Sequence, residues 1–172
     1  MTLLHKRPRL DDFPHIIVET LRFADTDRNG HITSSVFAIC CQSGRLALLS
    51  DPARGVEPLL SQFVLASLQL DYLCELHWPG TVEVGTRVER VGRSSVTLAQ
   101  ALFQTGRCAA VARSVAVLMD AATRCSRPIP PTSADLLQAF VGSINGGLGG
   151  RAPVRAPTLP PAAPEPRVPP LR

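Results

Sequence analysis

The spacing of hydrophobic residues changes twice along the chain. From His15 to Phe23 apolar and polar residues alternate and many are β-branched, which predicts a strand. After a turn at Asp27–Gly30, apolar residues recur at helical spacing, and this predicts a long helix from Ser34 to Ser50 that ends before Asp51-Pro52. Gly44 lies inside this helix, where glycine costs about 1 kcal/mol relative to alanine, so it indicates close packing against another backbone.

The second half of the chain is predicted to be a β-sheet. Alternating segments separated by turn residues predict four strands, at Phe63–Leu76, Thr81–Val91, Ser95–Thr105 and Cys108–Ala121, with a two-residue turn at Gly106-Arg107 before the last one. The last three strands make an antiparallel meander, and a short helix at Thr132–Phe140 closes the domain. Because the sheet has an apolar face to cover and only one long helix is available, the order of elements predicts an α+β fold with that helix on the sheet.

Composition divides the chain into three parts. We expect an N-terminal arm at 1–14, one folded domain at 15–141, and a glycine- and proline-rich tail at 142–172 that is disordered. Four arginines and one glutamate lie from residue 151 onward, so that segment carries +3 of the net charge of +4. The basic character is largely a property of the tail, and it gives no reason to expect nucleic-acid binding.

The cysteines and the N-terminus indicate the compartment. The five cysteines are odd in number and include no CxxC pair, so neither a disulfide framework nor a zinc knuckle is implied. The N-terminal residues lack the apolar run of a signal peptide, and no stretch approaches the ~20 apolar residues that span a bilayer. We expect a cytoplasmic protein without membrane insertion.

The turn between the first strand and the helix has two interpretations. Counted from Asp25, it supplies Asp25, Asp27, Asn29, Gly30 and Thr33 at EF-hand positions, which would make it a calcium-binding loop. However, Val36 stands at the twelfth position, where the loop needs a bidentate glutamate, and the preceding segment is a predicted strand where an EF-hand has a helix. Calcium binding by a degenerate loop is therefore the weaker alternative, and we expect no metal.

The other interpretation starts from the geometry of a strand, a tight turn and a helix. Such a turn brings a carboxylate close to the unpaired N–H groups of the first helical turn, which favour developing negative charge. Hydrolysis of an activated ester needs this combination, because the acid activates water or attacks directly while the amides polarise the carbonyl.

The residues of this turn and of the later strands resemble a known family. The stretch from Leu21 to Leu49, "LRFADTDRNGHITSSVFAICCQSGRLALL", is similar to the signature of hot-dog-fold acyl-CoA thioesterases of the 4-hydroxybenzoyl-CoA thioesterase type. The strand pattern of residues 72–130, with its Pro-Gly and Gly-x-Ser-Ser turns, also resembles that family. The resemblance implies a hot-dog fold, in which a long antiparallel sheet wraps around one central helix.

The resemblance also implies roles for individual residues. Asp27 would be the catalytic carboxylate, as nucleophile or general base, and the backbone N–H near Ser34 would polarise the thioester carbonyl. Gly30 would permit the tight turn and His31 would help to shape the site, although His31 is equally well explained as a structural histidine. Asp25 would bond turn amides and remain structural.

Substrate contacts and assembly follow from the same resemblance. Arg93, with Ser94 beside it, would bind the phosphates of coenzyme A, and Thr33 would contact the substrate where relatives often carry asparagine; a solvated turn residue is the alternative for Arg93. Arg45 would be an internal or interface anchor. The substrate would be an acyl-CoA, with no separate cofactor, and the chain would form dimers or tetramers. A non-catalytic acyl-CoA-binding protein of the same fold is the alternative function.

Overall fold

The computed structural model describes residues 7–49, 63–141 and the backbone of 154–155. Its regular elements are β1 (His15–Thr20), α1 (Ser34–Leu49), β2 (Phe63–Tyr72), β3 (Thr81–Val91), β4 (Ser95–Gln104), β5 (Arg107–Leu118), α2 (Pro131–Gln138) and β6 (Val154–Arg155). The strands form one sheet in the order β2-β5-β4-β3-β1-β6, in which β1 to β5 pair antiparallel and the two-residue β6 pairs parallel to β1. The predicted antiparallel meander of β3, β4 and β5 is confirmed.

Several predicted boundaries move by a few residues. The first strand ends at Thr20, because Phe23–Asp25 form a 3-10 turn, and the Phe23 side chain is exposed. The second strand ends at Tyr72, short of the predicted Leu76. The predicted Gly106-Arg107 turn is wrong by one residue, since Thr105 and Gly106 are the two residues with positive φ, at 50° and 77°. Twisted two-residue hairpins favour positive φ at both central positions, so the turn falls there.

Helix α1 packs closely against one face of the sheet at Gly44, but its neighbours there are side chains, where the glycine predicted another backbone. A Cβ atom at this position would lie 2.8 Å from Thr86 Oγ1, 2.9 Å from Gln100 Nε2 and 2.9 Å from Val84 Cγ1, so the close neighbours are side chains of β3 and β4. Gln100 joins helix and sheet, because its Nε2 donates to the Cys41 carbonyl at 2.8 Å and to Thr86 Oγ1 at 3.1 Å.

The buried face of β5 is the one with small residues. Its valines lie on one face, as the alternation predicts, but they are only partly buried. The opposite face is buried and contributes the small residues Ala110, Ala112, Ser114 and Ala116. Small side chains there leave room for the residues of α1, since core packing is set by volume as well as hydrophobicity.

Some predictions lie outside the described residues. The predicted disorder of the tail at 142–172 and the end of the long helix at Ser50 belong to this group, and the domain limits at 15–141 therefore stay a prediction. Within the described part of the chain, no helix has both the length and the apolar character needed to cross a membrane.

Candidate functional site

The residues between β1 and α1 form a small closed loop. Thr26 and Ile32 make an isolated antiparallel bridge, the Asp27 amide donates to the His31 carbonyl at 2.7 Å, and the Gly30 amide donates to the Asp27 carbonyl at 3.1 Å. Gly30 has φ of +81°, a conformation that side-chain-bearing residues rarely adopt. The sequence therefore folds into this loop because backbone bonds close it and glycine permits the reversal.

The Asp27 carboxylate is fixed inside this loop. Its Oδ1 accepts hydrogen bonds from the backbone N–H of Asn29 at 2.8 Å and of His31 at 3.1 Å. These bonds, led by that of Asn29, hold the pKa of Asp27 below its ordinary value. The side chain is partly exposed. Asp27 is thus an ionised, oriented carboxylate that solvent can reach.

Asp25 has a structural role, as the sequence indicated. Its buried carboxylate accepts hydrogen bonds from Arg22 Nη2 at 2.7 Å and from the Arg22 backbone N–H at 2.8 Å. These bonds keep the pKa of Asp25 below its usual range. Its backbone carbonyl accepts the Thr33 amide at 2.9 Å and the Thr33 hydroxyl at 3.0 Å. The Thr33 hydroxyl therefore has an internal acceptor, and the substrate contact predicted for Thr33 stays a prediction.

These contacts also bear on the calcium interpretation. The Asp25 carboxylate, which would be the first calcium ligand, is held by Arg22, and a 3-10 turn precedes the loop in place of a helix. Among the described residues, no group of three or more histidine, cysteine, aspartate or glutamate side chains is arranged to hold a metal ion.

The start of α1 follows directly on this loop. Ser34 is the first helical residue and is exposed, so its amide lies at the N-terminal end of the helix, where N–H groups have no intrahelical acceptor. The Tyr72 hydroxyl donates to the Ser34 carbonyl at 3.3 Å, and the Tyr72 ring meets Phe37 edge-on at 5.1 Å between centroids. Sequence reasoning missed Tyr72, the single tyrosine of the chain.

The segment after β2 supplies two more polar side chains. Glu75 Oε2 lies 3.4 Å from His31 Nε2 and 3.7 Å from His77 Nε2, and the two imidazole rings meet edge-on at 5.3 Å. This segment is fixed by Gln104, whose side chain bonds the His77 amide at 2.9 Å and the His77 carbonyl at 2.8 Å. Neither Glu75 nor His77 was predicted, and only their polarity directly after a strand could have indicated them.

The predicted phosphate contacts lie elsewhere in the chain. Arg93 and Ser94 occupy the turn between β3 and β4, and their carbonyls accept the amides of Ile129 and Leu118 at 2.8 Å each. The loop of Asp27 lies near the opposite end of β3, where Thr20 pairs with Thr81. The ten residue steps from Thr81 to Val91 span about 33 Å at a rise of 3.3 Å per step. Arg93 and Asp27 are therefore not brought together within one chain.

A family comparison covers the residues of this site. The family model of the thioesterase-like superfamily matches residues 21–160, which include the loop, α1 and the whole meander. The chain belongs to the thioesterase-like superfamily. A comparison with curated proteins found no match.

Solved structures of thioesterases share the fold of this superfamily member. A thioesterase from Thermus thermophilus, complexed with coenzyme A and Zn, is 26% identical with a TM-score of 0.68, covering 76% of this chain and 96% of its own. A predicted thioesterase from Bacillus stearothermophilus is 28% identical with a TM-score of 0.67, covering 76% and 98%. A 1,4-dihydroxy-2-naphthoyl-CoA thioesterase from Synechocystis, 17% identical with a TM-score of 0.63 and covering 72% and 95%, supports the fold alone.

Proposed function

We propose that the protein hydrolyses acyl-CoA thioesters to the free acid and coenzyme A, with Asp27 as the catalytic carboxylate. The observation that supports this best is the anchored Asp27 carboxylate, ionised, accessible and next to the start of α1. Membership of the thioesterase-like superfamily and the resemblance to the 4-hydroxybenzoyl-CoA thioesterase type point to the same chemistry.

The mechanism follows from the two oxygens of Asp27. Among the described residues, the backbone hydrogen bonds from Asn29 and His31 both go to Oδ1, so we propose that Oδ2 is the oxygen that acts on the substrate. As general base, Oδ2 takes a proton from the water that attacks the thioester carbon; as nucleophile, it attacks that carbon and forms an anhydride that water then cleaves. In both routes the C–S bond breaks, coenzyme A leaves as the thiolate, and an amide near Ser34 stabilises the carbonyl oxygen.

We also propose that the site is completed by a second copy of the chain. Strand β2 is at the edge of the sheet and most of its side chains are exposed, among them Val64 and Leu65; Ile39 and Leu46 of α1 are exposed as well. Such an edge favours pairing with another strand. In this arrangement the sheets of two subunits continue across the contact, and each wraps around its own long helix as in hot-dog proteins.

The two ends of β2 lie beside the two parts of the proposed site, the catalytic loop and the Arg93–Ser94 turn. Tyr72, at one end of β2, contacts the helix start beside Asp27, while Phe63, at the other end, pairs with Leu118, whose amide bonds the Ser94 carbonyl. If two β2 strands pair antiparallel about a two-fold axis, the turn of one subunit approaches the catalytic loop of the other. Arg93 and Ser94 could then bind phosphate groups of coenzyme A across the interface.

The test compares two aspartates with the same local structure. Asp120 also uses Oδ1 to accept turn amides, from Ala122 at 3.1 Å and from Thr123 at 2.7 Å, but it follows β5 at the far end of the sheet. A panel of acyl-CoAs with a thiol reagent would be assayed on wild type, Asp27→Asn and Asp120→Asn. We expect Asp27→Asn to lower kcat by about 10²–10⁴-fold. Asp120→Asn should retain kcat, and any effect on it should be confined to KM, because Asp120 lies at the end of the sheet that carries Arg93 and Ser94.

Each other outcome has a defined meaning. Full activity in Asp27→Asn would refute the catalytic assignment. Binding of CoA by calorimetry without turnover of any substrate would favour the non-catalytic alternative. We expect activity to survive EDTA treatment, since the proposal needs no metal or cofactor beyond the coenzyme A of the substrate, and loss of activity that Zn²⁺ restores would contradict that part.

A further inference from the structure

The described part of the N-terminal arm, residues 7–14, lies on the face of the sheet opposite α1. Phe13 packs over Gly85, where an added Cβ would lie 2.6 Å from Phe13 Cγ and 2.9 Å from its Cβ. The Phe13 ring also meets Phe103 edge-on at 6.1 Å, and the Arg87 guanidinium lies over it at 5.5 Å. Gly85 therefore provides a recess shaped for Phe13, and the arm is a fixed part of this face.

A cavity of about 240 Å³ lies between the arm and the sheet. Its floor includes a row of directly paired residues across three strands, in which Arg87 pairs with Ala99 and Ala99 with Arg113. Val111 and Phe13 also line it. Because Thr86 and Gln100, the neighbours of Arg87 and Ala99, face α1, this row is on the other side of the sheet from the proposed catalytic site.

Some of the charged side chains around this cavity are paired with each other, and others are free to bind a ligand. Four arginines line it, Arg7, Arg9, Arg87 and Arg113, with three carboxylates, Asp12, Asp71 and Glu89. Glu89 is paired with Arg113 at 2.7 Å, and Asp12 accepts the backbone N–H of Arg9 at 2.7 Å. The guanidinium groups of Arg7 and Arg9 have no carboxylate within salt-bridge distance among the described residues. They form a cationic rim above a floor in which the apolar Ala99 and Val111 lie beside Arg87 and Arg113.

We propose that this cavity is a second binding site, for a small amphipathic organic anion. The apolar body of the ligand lies on Ala99 and Val111 against the Phe13 ring, and its anionic group meets the arginines of the arm. Asp71, whose carboxylate also lines the cavity, repels the anion and limits its affinity. The proposal is independent of the hydrolase function, because the cavity and Asp27 are on different parts of the molecule.

The experiment uses two probes that differ by one charge. Fluorescence titration of the full-length protein with 1-anilinonaphthalene-8-sulfonate follows an anion, and N-phenyl-1-naphthylamine is its neutral counterpart. We expect Arg9→Gln to weaken sulfonate binding by about two- to fivefold, the value of one partly screened ion pair, and to leave the neutral probe unchanged. Asp71→Asn should strengthen sulfonate binding by a similar factor, and Arg124→Gln, on a remote exposed turn, should change neither probe.

A second variant tests the wall of the site without changing any charge. Gly85→Ala places a methyl group into the recess of Phe13, so both probes should bind more weakly; Phe13→Ala serves the same purpose if the first variant does not fold. An unchanged affinity for the sulfonate probe in both Arg9→Gln and Asp71→Asn would overturn the proposal. Equal responses of the two probes to these charge variants would also overturn the proposal. A change of sedimentation mass in Gly85→Ala without loss of sulfonate binding would overturn it too, and would identify this face as a subunit contact.

Discussion

The replacement of Gly44 by alanine sets two effects of known size against each other. In an exposed helix this change stabilises by about 1 kcal/mol, because glycine loses more backbone entropy on folding. Here the new Cβ would approach Thr86 Oγ1 to 2.8 Å and Val84 Cγ1 to 2.9 Å, closer than such atoms normally come. Overpacking of a core costs about 1–3 kcal/mol.

The same methyl group also disturbs a buried hydrogen bond. It would lie 2.9 Å from Gln100 Nε2, which donates to the Cys41 carbonyl and to Thr86 Oγ1. A buried donor left without its acceptor costs about 1–3 kcal/mol. After the helical gain is subtracted, we expect Gly44→Ala to lower the free energy of unfolding by about 1–5 kcal/mol.

Urea unfolding followed by far-UV circular dichroism measures this difference. The midpoint should fall with an unchanged m-value, and the melting temperature should fall by about 2–4 °C for each kcal/mol. Gln42→Ala, at an exposed position of the same helix, is the control and should not destabilise. A Gly44→Ala protein as stable as wild type, or more stable, would show that α1 does not approach the sheet as closely as described.

Two further predictions concern ionisable side chains. Burial raises the pKa of Cys40 to about 12, so iodoacetamide at pH 8 followed by mass spectrometry should label the exposed Cys125 and spare Cys40 until the protein unfolds; early labelling of Cys40 would contradict its burial. The pKa of Asp25 is depressed by Arg22, so this pair stabilises the folded state above the ordinary aspartate pKa and the contribution disappears as pH falls through the folded value. The urea midpoint should therefore fall more steeply below about pH 4 in wild type than in Asp25→Asn, and parallel curves would refute this.

The regular elements could largely be predicted from the sequence, because their periods are strong. Strand β3 has the predicted bounds Thr81–Val91, and α1 begins at the predicted Ser34. The buried face of β5 could not be predicted, since alternation separates two faces without showing which one the helix covers. Tertiary packing decides which face is buried, and in β5 it is the face with the small residues.

The candidate site divides in the same way. The loop around Asp27 is contiguous in sequence and is closed by its own backbone bonds, so its residues could be recognised together. Glu75 and His77 reach His31 only because Gln104 fixes the segment that follows β2, and Tyr72 reaches the start of α1 from the end of β2. Contacts of this kind depend on the whole fold, and no local pattern predicts them.

The ambiguity of the loop itself has a physical origin. A calcium-binding loop and this turn both need short carboxylates that satisfy backbone amides and a glycine at a sharp reversal, so both select similar residues. The two differ in what the first carboxylate binds, which is the calcium ion in an EF-hand and an arginine side chain here. Here Arg22 holds Asp25, and the Asp25 carbonyl in turn anchors Thr33 at the start of α1. Because Arg22 engages the Asp25 carboxylate, Asp27 is the acid of this loop that we propose as the catalytic carboxylate.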